Sequence, residues 1–130
     1  SRGKIIQLLS CSTVFVTPSI YEPLGIVNLE AMAVGLPVVG TKTGGIPDCI
    51  EDGVTGTLVP IEQLDDGTGT PVHPETFEAD LASALEAVCA DPEKAREMGA
   101  AGRKRVEEHF SWESIALKTM DFYRDVIAGL

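Results

Sequence analysis

Residues 13–41, TVFVTPSIYEPLGIVNLEAMAVGLPVVGT, set the architecture of this chain. The segments Thr13–Thr17 and Leu36–Thr41 are β-branched runs of strand length, bounded by proline and glycine. Between them, Gly25–Val34 has a helical pattern that is apolar on almost every side, so it predicts a buried helix. Gly35 follows where a C-terminal helix cap belongs. Strand, helix and strand within about 30 residues form a βαβ unit, which implies a parallel sheet.

The rest of the chain extends this unit. A helix ends near Cys11, Ile46–Ile50 predicts a single helical turn, and Gly56–Pro60 predicts a third strand. Residues 64–73 are polar and turn-rich, which predicts a surface loop or short hairpin. The patterns that follow predict three helices, ending near Ala90, near His109 and at Ala128, the last two with N-cap residues Asp91 and Ser111.

Composition limits the classes of function. The 130 residues fit one domain, and a 44% hydrophobic content allows a real core. The net charge of −10 argues against nucleic acid and anionic membranes as partners, because phosphate binding needs clustered basic residues. No apolar run approaches the roughly 20 residues that span a bilayer.

The cysteines and histidines predict neither a disulfide nor a metal site. Cys11, Cys49 and Cys89 are widely spaced and odd in number, and neither histidine lies at metal-ligand spacing from them. This pattern favours free thiols with packing roles in a reducing compartment, so we expect a cytoplasmic protein. The sequence contains no cluster of metal ligands, so we expect no metal ion, and we expect no cofactor.

Two carboxylates flank the predicted start of the helix. Glu22 follows the first strand, at the sheet edge where α/β folds place ligands. Gly25 permits close approach, and the N–H groups of Leu24, Gly25 and Ile26 should point outward as unpaired donors to an anion. Glu30 lies further along the helix and needs a partner. The alternatives are a solvated loop acid for Glu22 and an ion pair for Glu30.

These residues belong to a longer pattern, PSxYEPxGxxxxEAMAxGxPVV over residues 18–39, continued by GGIPD at 44–48 and DGxxGxLV at 52–59. The pattern resembles the signature of the retaining GT-B glycosyltransferases of group 1 (family 4). Residues 66–71 and the Pro60-Ile61 pair are similar to actinobacterial-type glycogen synthases within that family. The fold so implied is an α/β domain, an incomplete Rossmann-like parallel sheet followed by C-terminal helices.

The resemblance implies a role for each site residue. Glu22 would accept hydrogen bonds from the donor sugar and stabilise an oxocarbenium-like transition state. Leu24, Gly25 and Ile26 would bind the diphosphate of a nucleotide sugar through backbone N–H groups. Glu30 would bind the ribose, and Ser19 and Tyr21 would shape the pocket.

The implied reaction is transfer of glucose from ADP- or UDP-glucose to an α-glucan or to a glucose 1-phosphate type acceptor. Residues 1–130 would form part of the nucleotide-sugar-binding domain. The acceptor domain and the basic residues that bind phosphate would lie upstream, so we expect the chain alone to be inactive. The alternatives are a mannosyl- or other hexosyltransferase of this family and a non-catalytic α/β binding module.

Other residues carry weaker signals. Thr43-Gly44-Gly45 is either a plain turn that needs a positive φ or a second loop that approaches the donor. Arg105 alternates with acids on a helix and is expected to be solvated. Trp112, Phe122 and Tyr123 fall at helical spacing, which favours core or interdomain packing.

Overall fold

The computed structural model describes residues 1–130 as an α/β fold with three strands and six helices. The strands are β1 (Phe15–Thr17), β2 (Val38–Thr41) and β3 (Gly56–Val59). The helices are α1 (Arg2–Ser10), α2 (Ile26–Ala33), α3 (Ile46–Cys49), α4 (Pro74–Ala90), α5 (Pro92–His109) and α6 (Trp112–Ala128). The predicted order of strands and helices is therefore confirmed.

The three strands form one parallel sheet in the order β1-β2-β3. Val38 is paired with Phe15 on one side and with Gly56 on the other. The chain passes from β1 to β2 through α2 and from β2 to β3 through α3, so the predicted βαβ unit is confirmed. The carboxyl ends of all three strands consequently lie at one edge of the sheet.

Helices cover both faces of the sheet. Val38 and Val39 are fully buried, and successive residues of a strand point to opposite faces. Val38 packs with residues of α2 and α3, whereas Val39 packs with Val88 of α4. A parallel sheet needs this double cover, because its strands are apolar on both sides.

The α2–α5 contact depends on small residues. A Cβ added to Gly99 would lie closer than 3.0 Å to the carbonyl of Gly35, and Gly102 lies against Met32. The predicted caps of the last two helices are confirmed, since Asp91 accepts a hydrogen bond from the N–H of Lys94 at 3.0 Å and Ser111 from that of Ser114 at 3.1 Å.

Two predictions about buried residues are wrong. Helix α2 is covered on one side only, and Ile26 remains 62% exposed at its start. Helix α6 has no buried residue, and Trp112 is 87% exposed, so its aromatic residues do not pack in the core of this chain. The reason is that α6 leaves the sheet and packs against α5. Interdomain packing of α6 stays a prediction.

The three cysteines are free, as predicted, but only Cys49 is buried. Cys11 and Cys89 are exposed at or near helix ends, so the packing role expected for them is wrong. None of the helices combines the length and the apolar composition that crossing a membrane requires.

Arg105 is not the solvated side chain that its charge pattern predicts. Its guanidinium donates to the carbonyls of Cys49 at 2.9 Å and Asp48 at 3.0 Å, at the end of α3. It also lies 3.8 Å from the carboxylate of Glu51 and stacks over the ring of Phe110. Because a helix end leaves carbonyls unpaired, Arg105 caps α3 from α5.

We expect Arg105→Ala to lower the free energy of unfolding by about 1–2 kcal/mol, because two carbonyls lose a charged donor. Urea unfolding would measure the change. Arg103→Ala is the matched control, since Arg103 forms only an exposed ion pair with Glu107 and should cost less than about 0.5 kcal/mol. Equal costs for the two variants would contradict a capping role for Arg105.

Candidate functional site

Glu22 lies at the carboxyl edge of the sheet, in the loop between β1 and α2. Its side chain is half-buried, and its Oε1 accepts a hydrogen bond from the N–H of Gly25 at 3.0 Å. Gly25 is the N-cap of α2 and has φ of 82°, in the left-handed region. The prediction of a free N–H at Gly25 is therefore wrong, because the Glu22 carboxylate satisfies this group.

The other N–H groups at the start of α2 remain available. Those of Leu24, Ile26 and Val27 donate to no other group of the chain. Gly25, as the cap, has no side chain that could occupy them. The first turn of a helix attracts anions through such N–H groups and through the positive end of its dipole.

The Glu22 loop is held in place through the backbone carbonyls of three alternate residues, each of which accepts a hydrogen bond from another segment. The carbonyl of Glu22 accepts from the N–H of Gly45 at 2.8 Å, and that of Leu24 accepts from the Cys49 thiol at 3.1 Å. The carbonyl of Ile20 accepts from Nε2 of Gln63 at 2.6 Å. The loop thus presents one edge to its supports and the other to solvent.

The Thr43-Gly44-Gly45 turn lies directly beneath this loop. Gly44 has φ of 54°, and a Cβ on it would lie closer than 3.0 Å to the carbonyl of Glu22. A Cβ on Gly45 would come equally close to the carbonyl of Pro23. The turn with positive φ is confirmed. Its close approach is to the Glu22 loop, and an approach to a donor stays a prediction.

Cys49 supports the loop from within the core. It is fully buried, and burial raises the pKa of the Cys49 thiol to about 11. The Asp48 and Glu22 carboxylates add to this rise, while the Arg105 guanidinium opposes it. The thiol therefore remains a protonated donor to Leu24 at neutral pH.

We expect Cys49 to resist alkylation by iodoacetamide at pH 8, where about one thiol in a thousand would be ionised. Cys11 and Cys89 are exposed and serve as internal controls that should react readily. Peptide mass spectrometry would follow the three sites. Labelling of Cys49 should appear only near pH 11 or after denaturation, and native labelling at the rate of Cys11 would contradict its burial.

A series of buried hydrogen bonds connects strands β2 and β1 to helix α2 beside the site. Thr41 donates to the carbonyl of Thr17 at 3.3 Å, and Thr17 donates in turn to the side-chain oxygen of Asn28. The amide nitrogen of Asn28 is buried without a partner, and a Cβ on Gly25 would lie closer than 3.0 Å to it. The Asn28 amide thereby fills the space that a side chain at position 25 would need.

Glu30 lies four residues into α2, about 6 Å along the axis from Ile26. It is half-buried and lines a cleft of about 150 Å³ between α1 and α2, with Arg2 and Leu9. The ion pair considered for Glu30 is absent, because no basic side chain lies within salt-bridge distance. Its carboxylate remains available to hydroxyl donors.

Ser19 and Tyr21 precede Glu22 in the same loop. Ser19 is half-buried, and Tyr21 is 73% exposed between the two anchored carbonyls of Ile20 and Glu22. The site therefore combines a loop carboxylate, free N–H groups at the start of α2 and a second carboxylate within that helix. Such an arrangement can accept hydrogen bonds from hydroxyls and donate them to an anion.

Comparison with known proteins agrees with this geometry. The family model for glycosyl transferases group 1 matches residues 1–105, and the chain therefore belongs to that family. Its fold is that of the C-terminal domains of GT-B glycosyltransferases, enzymes that transfer hexosyl groups.

The chain is similar to several individual glycosyltransferases in sequence or in structure. The chain is 51% identical over 125 residues to alpha-maltose-1-phosphate synthase of Mycolicibacterium smegmatis, covering 96% of this chain and 30% of the relative. A sucrose-phosphate synthase from Thermosynechococcus elongatus superposes with a TM-score of 0.71 and 37% identity, covering 95% of this chain and 27% of that one. HepE from Anabaena, solved in complex with UDP and glucose, gives a TM-score of 0.71 and 25% identity over 91% and 28% of the two chains.

The chain spans about 30% of the length of the alpha-maltose-1-phosphate synthases to which it is similar. The resemblance to group 1 glycosyltransferases is confirmed, and a glycogen synthase is among the relatives.

Several residues of the site were missed from sequence. Cys49 and Gln63 hold the Glu22 loop by hydrogen bonds to carbonyls that are distant in sequence. Residue type alone does not indicate such contacts. Asn28 did leave a signal, since it is the one amide in a helical run that is apolar apart from Glu30.

Proposed function

We propose that the chain forms the donor side of a retaining glycosyltransferase that moves glucose from ADP- or UDP-glucose to an α-glucan or to glucose 1-phosphate. The observation that carries the proposal is the position of Glu22 beside the free N–H groups of Leu24, Ile26 and Val27. The diphosphate would lie against these N–H groups, where the helix dipole favours negative charge.

The two carboxylates would bind the other two parts of the donor, the sugar and the ribose. Glu22 would accept hydrogen bonds from the sugar and stabilise positive charge that develops on it as the bond to the diphosphate breaks. Glu30 would accept hydrogen bonds from the ribose hydroxyls, because no basic side chain lies within 4.0 Å of its carboxylate. Ser19 and Tyr21 would border the sugar.

The named product of one relative supports the choice of acceptor. Alpha-maltose 1-phosphate consists of one glucose joined to glucose 1-phosphate, so a synthase of that compound can use a glucose donor and a glucose 1-phosphate acceptor. The structure of HepE with UDP and glucose supports a nucleotide sugar as the donor.

The test uses the full-length protein that contains this chain. It would be incubated with ADP-glucose, UDP-glucose or GDP-mannose, and with glucose 1-phosphate or a malto-oligosaccharide. Release of the nucleoside diphosphate would give the rate, and the coupling constant of the anomeric proton in the product would report retention. We expect glucose transfer with an α-linked product. Transfer of mannose alone would favour another hexosyltransferase, and no transfer from any donor would favour a binding module.

The 130-residue chain by itself provides a second test. We expect no turnover and weak nucleotide-sugar binding, because in this proposal the acceptor domain and the phosphate-binding cations would lie outside it. Turnover by the isolated chain would contradict this part of the proposal.

A further inference from the structure

One glutamine joins three loops beside Glu22. The half-buried Gln63 donates from Nε2 to the carbonyl of Ile20 at 2.6 Å and to that of Gly69 at 2.7 Å. Its Oε1 accepts from the hydroxyl of Thr43 at 3.2 Å. Both N–H groups and the amide oxygen are therefore in use, and each reaches a different loop.

The loop of residues 64–70, here called the insertion loop, is an ordered part of this arrangement. The N–H of Leu64 donates to the carbonyl of Thr70 at 2.9 Å across its base. Near its tip, Asp66 accepts from both the N–H and the hydroxyl of Thr68, at 2.9 and 2.6 Å. A Cβ on Gly69 would lie 3.2 Å from Nε2 of Gln63, so the loop packs closely on this side chain.

The segment before Glu22 depends on this contact. Within residues 18–21 only the carbonyl of Ile20 is hydrogen-bonded. It accepts from Nε2 of Gln63 and, more weakly at 3.4 Å, from the Thr43 hydroxyl, whose single hydrogen it shares with Oε1 of Gln63. The carbonyls of Glu22 and Leu24 have supports of their own in Gly45 and Cys49. Gln63 is thus the main polar anchor on the N-terminal side of Glu22.

We propose that Gln63 is a positioning residue for the transfer reaction. It holds the segment that leads into Glu22 and locks the insertion loop beside it, so that the Glu22 carboxylate keeps its place relative to the donor sugar. The inference rests on the proposed function, in which Glu22 contacts that sugar. The N–H groups of α2 and the Glu30 cleft do not depend on Gln63, so the nucleotide should still bind without it.

The test compares Gln63→Leu and Gln63→Glu in the full-length protein. Leucine keeps the approximate size and removes every hydrogen bond. Glutamate keeps the acceptor for Thr43 but places a carboxylate against the carbonyls of Ile20 and Gly69. We expect kcat to fall about 10- to 100-fold in both variants, because small misplacements of catalytic groups are costly. The Kd for ADP or UDP, measured by calorimetry, should change less than about threefold.

Gln7→Leu is the matched control, since Gln7 is an exposed glutamine on α1 and should keep wild-type kcat. Hydrogen–deuterium exchange of residues 18–25 and 64–72 gives a readout independent of activity, and it should be faster in both segments of Gln63→Leu. A wild-type kcat in both Gln63 variants would overturn the inference, as would equal losses of kcat and nucleotide affinity. If the wild-type protein is inactive but Gln63→Leu still speeds hydrogen–deuterium exchange in both segments, the proposed function would be contradicted. The role of Gln63 in holding the two segments would remain supported.

Discussion

Glu22→Gln is expected to lower kcat/KM for the nucleotide-sugar donor by about 10²- to 10³-fold in the full-length protein. Glutamine retains a side-chain oxygen that can accept from the N–H of Gly25, as Glu22 does at 3.0 Å. The cap of α2 should therefore survive. What is lost is the negative charge that would stabilise the oxocarbenium-like transition state.

Steady-state kinetics and the thermal midpoint together test this prediction. The midpoint should stay close to that of the wild type, because the cap remains. Glu78→Gln applies the same chemical change to an exposed glutamate on α4 and should leave both quantities unchanged. Near wild-type kcat/KM in folded Glu22→Gln would exclude the catalytic role and favour a binding module.

Gly44→Ala is expected to lower the free energy of unfolding by about 3 kcal/mol, for two reasons. Gly44 has φ of 54°, where a side chain costs roughly 1–2 kcal/mol. In addition, the new Cβ would collide with the carbonyl of Glu22, and such overpacking costs about 1–3 kcal/mol. Because relief of the collision must move the Glu22 loop, transfer activity should fall as well.

Gly53→Ala separates the two causes. Gly53 has φ of 76°, but a Cβ there would meet nothing within 4 Å, so only the backbone cost of roughly 1–2 kcal/mol applies. Urea unfolding of the two variants would give the difference. If both lose the same stability, the turn does not press on the Glu22 loop in the way that the structure indicates.

The position of Glu22 at the helix start has an electrostatic consequence. Its carboxylate already occupies the N–H of Gly25, so a diphosphate at the same helix would rely on the N–H groups of Leu24, Ile26 and Val27. Two anions near one helix start repel each other, and nearby cations would offset this cost. Cationic groups beside the diphosphate would therefore strengthen the proposed donor site.

Local patterns were sufficient for the order of elements. β-branched runs predict β1 to β3, and the spacing of Phe77, Leu81, Leu85 and Val88 predicts the face of α4 that packs on the sheet. The caps at Asp91 and Ser111 were also predictable, because each acts on an N–H three residues away. Interactions of this range depend only on residues that are close together in the sequence, so the sequence predicts them.

The failures at Arg105 and Trp112 concern contacts between distant segments, whereas the N–H of Gly25 was misjudged within its own loop. Arg105 looks solvated within its own helix, yet it reaches carbonyls 56 and 57 residues away. The helical spacing of Trp112 suggests a core residue, yet its side chain on α6 is 87% exposed. Helical periodicity indicates which residues share a face, but it does not indicate what that face meets.

The sequence by itself determined the α/β class, the parallel sheet and the family, because these depend on short-range periodicity and on one contiguous motif around Glu22 and Glu30. Tertiary structure alone decided how the Glu22 loop is held. The carbonyls of Ile20, Glu22 and Leu24 receive donors from Gln63, Gly45 and Cys49, which lie 43, 23 and 25 residues away in the chain. A hydrogen bond to a backbone carbonyl requires position and direction rather than a residue type at fixed spacing, so only the folded chain reveals it.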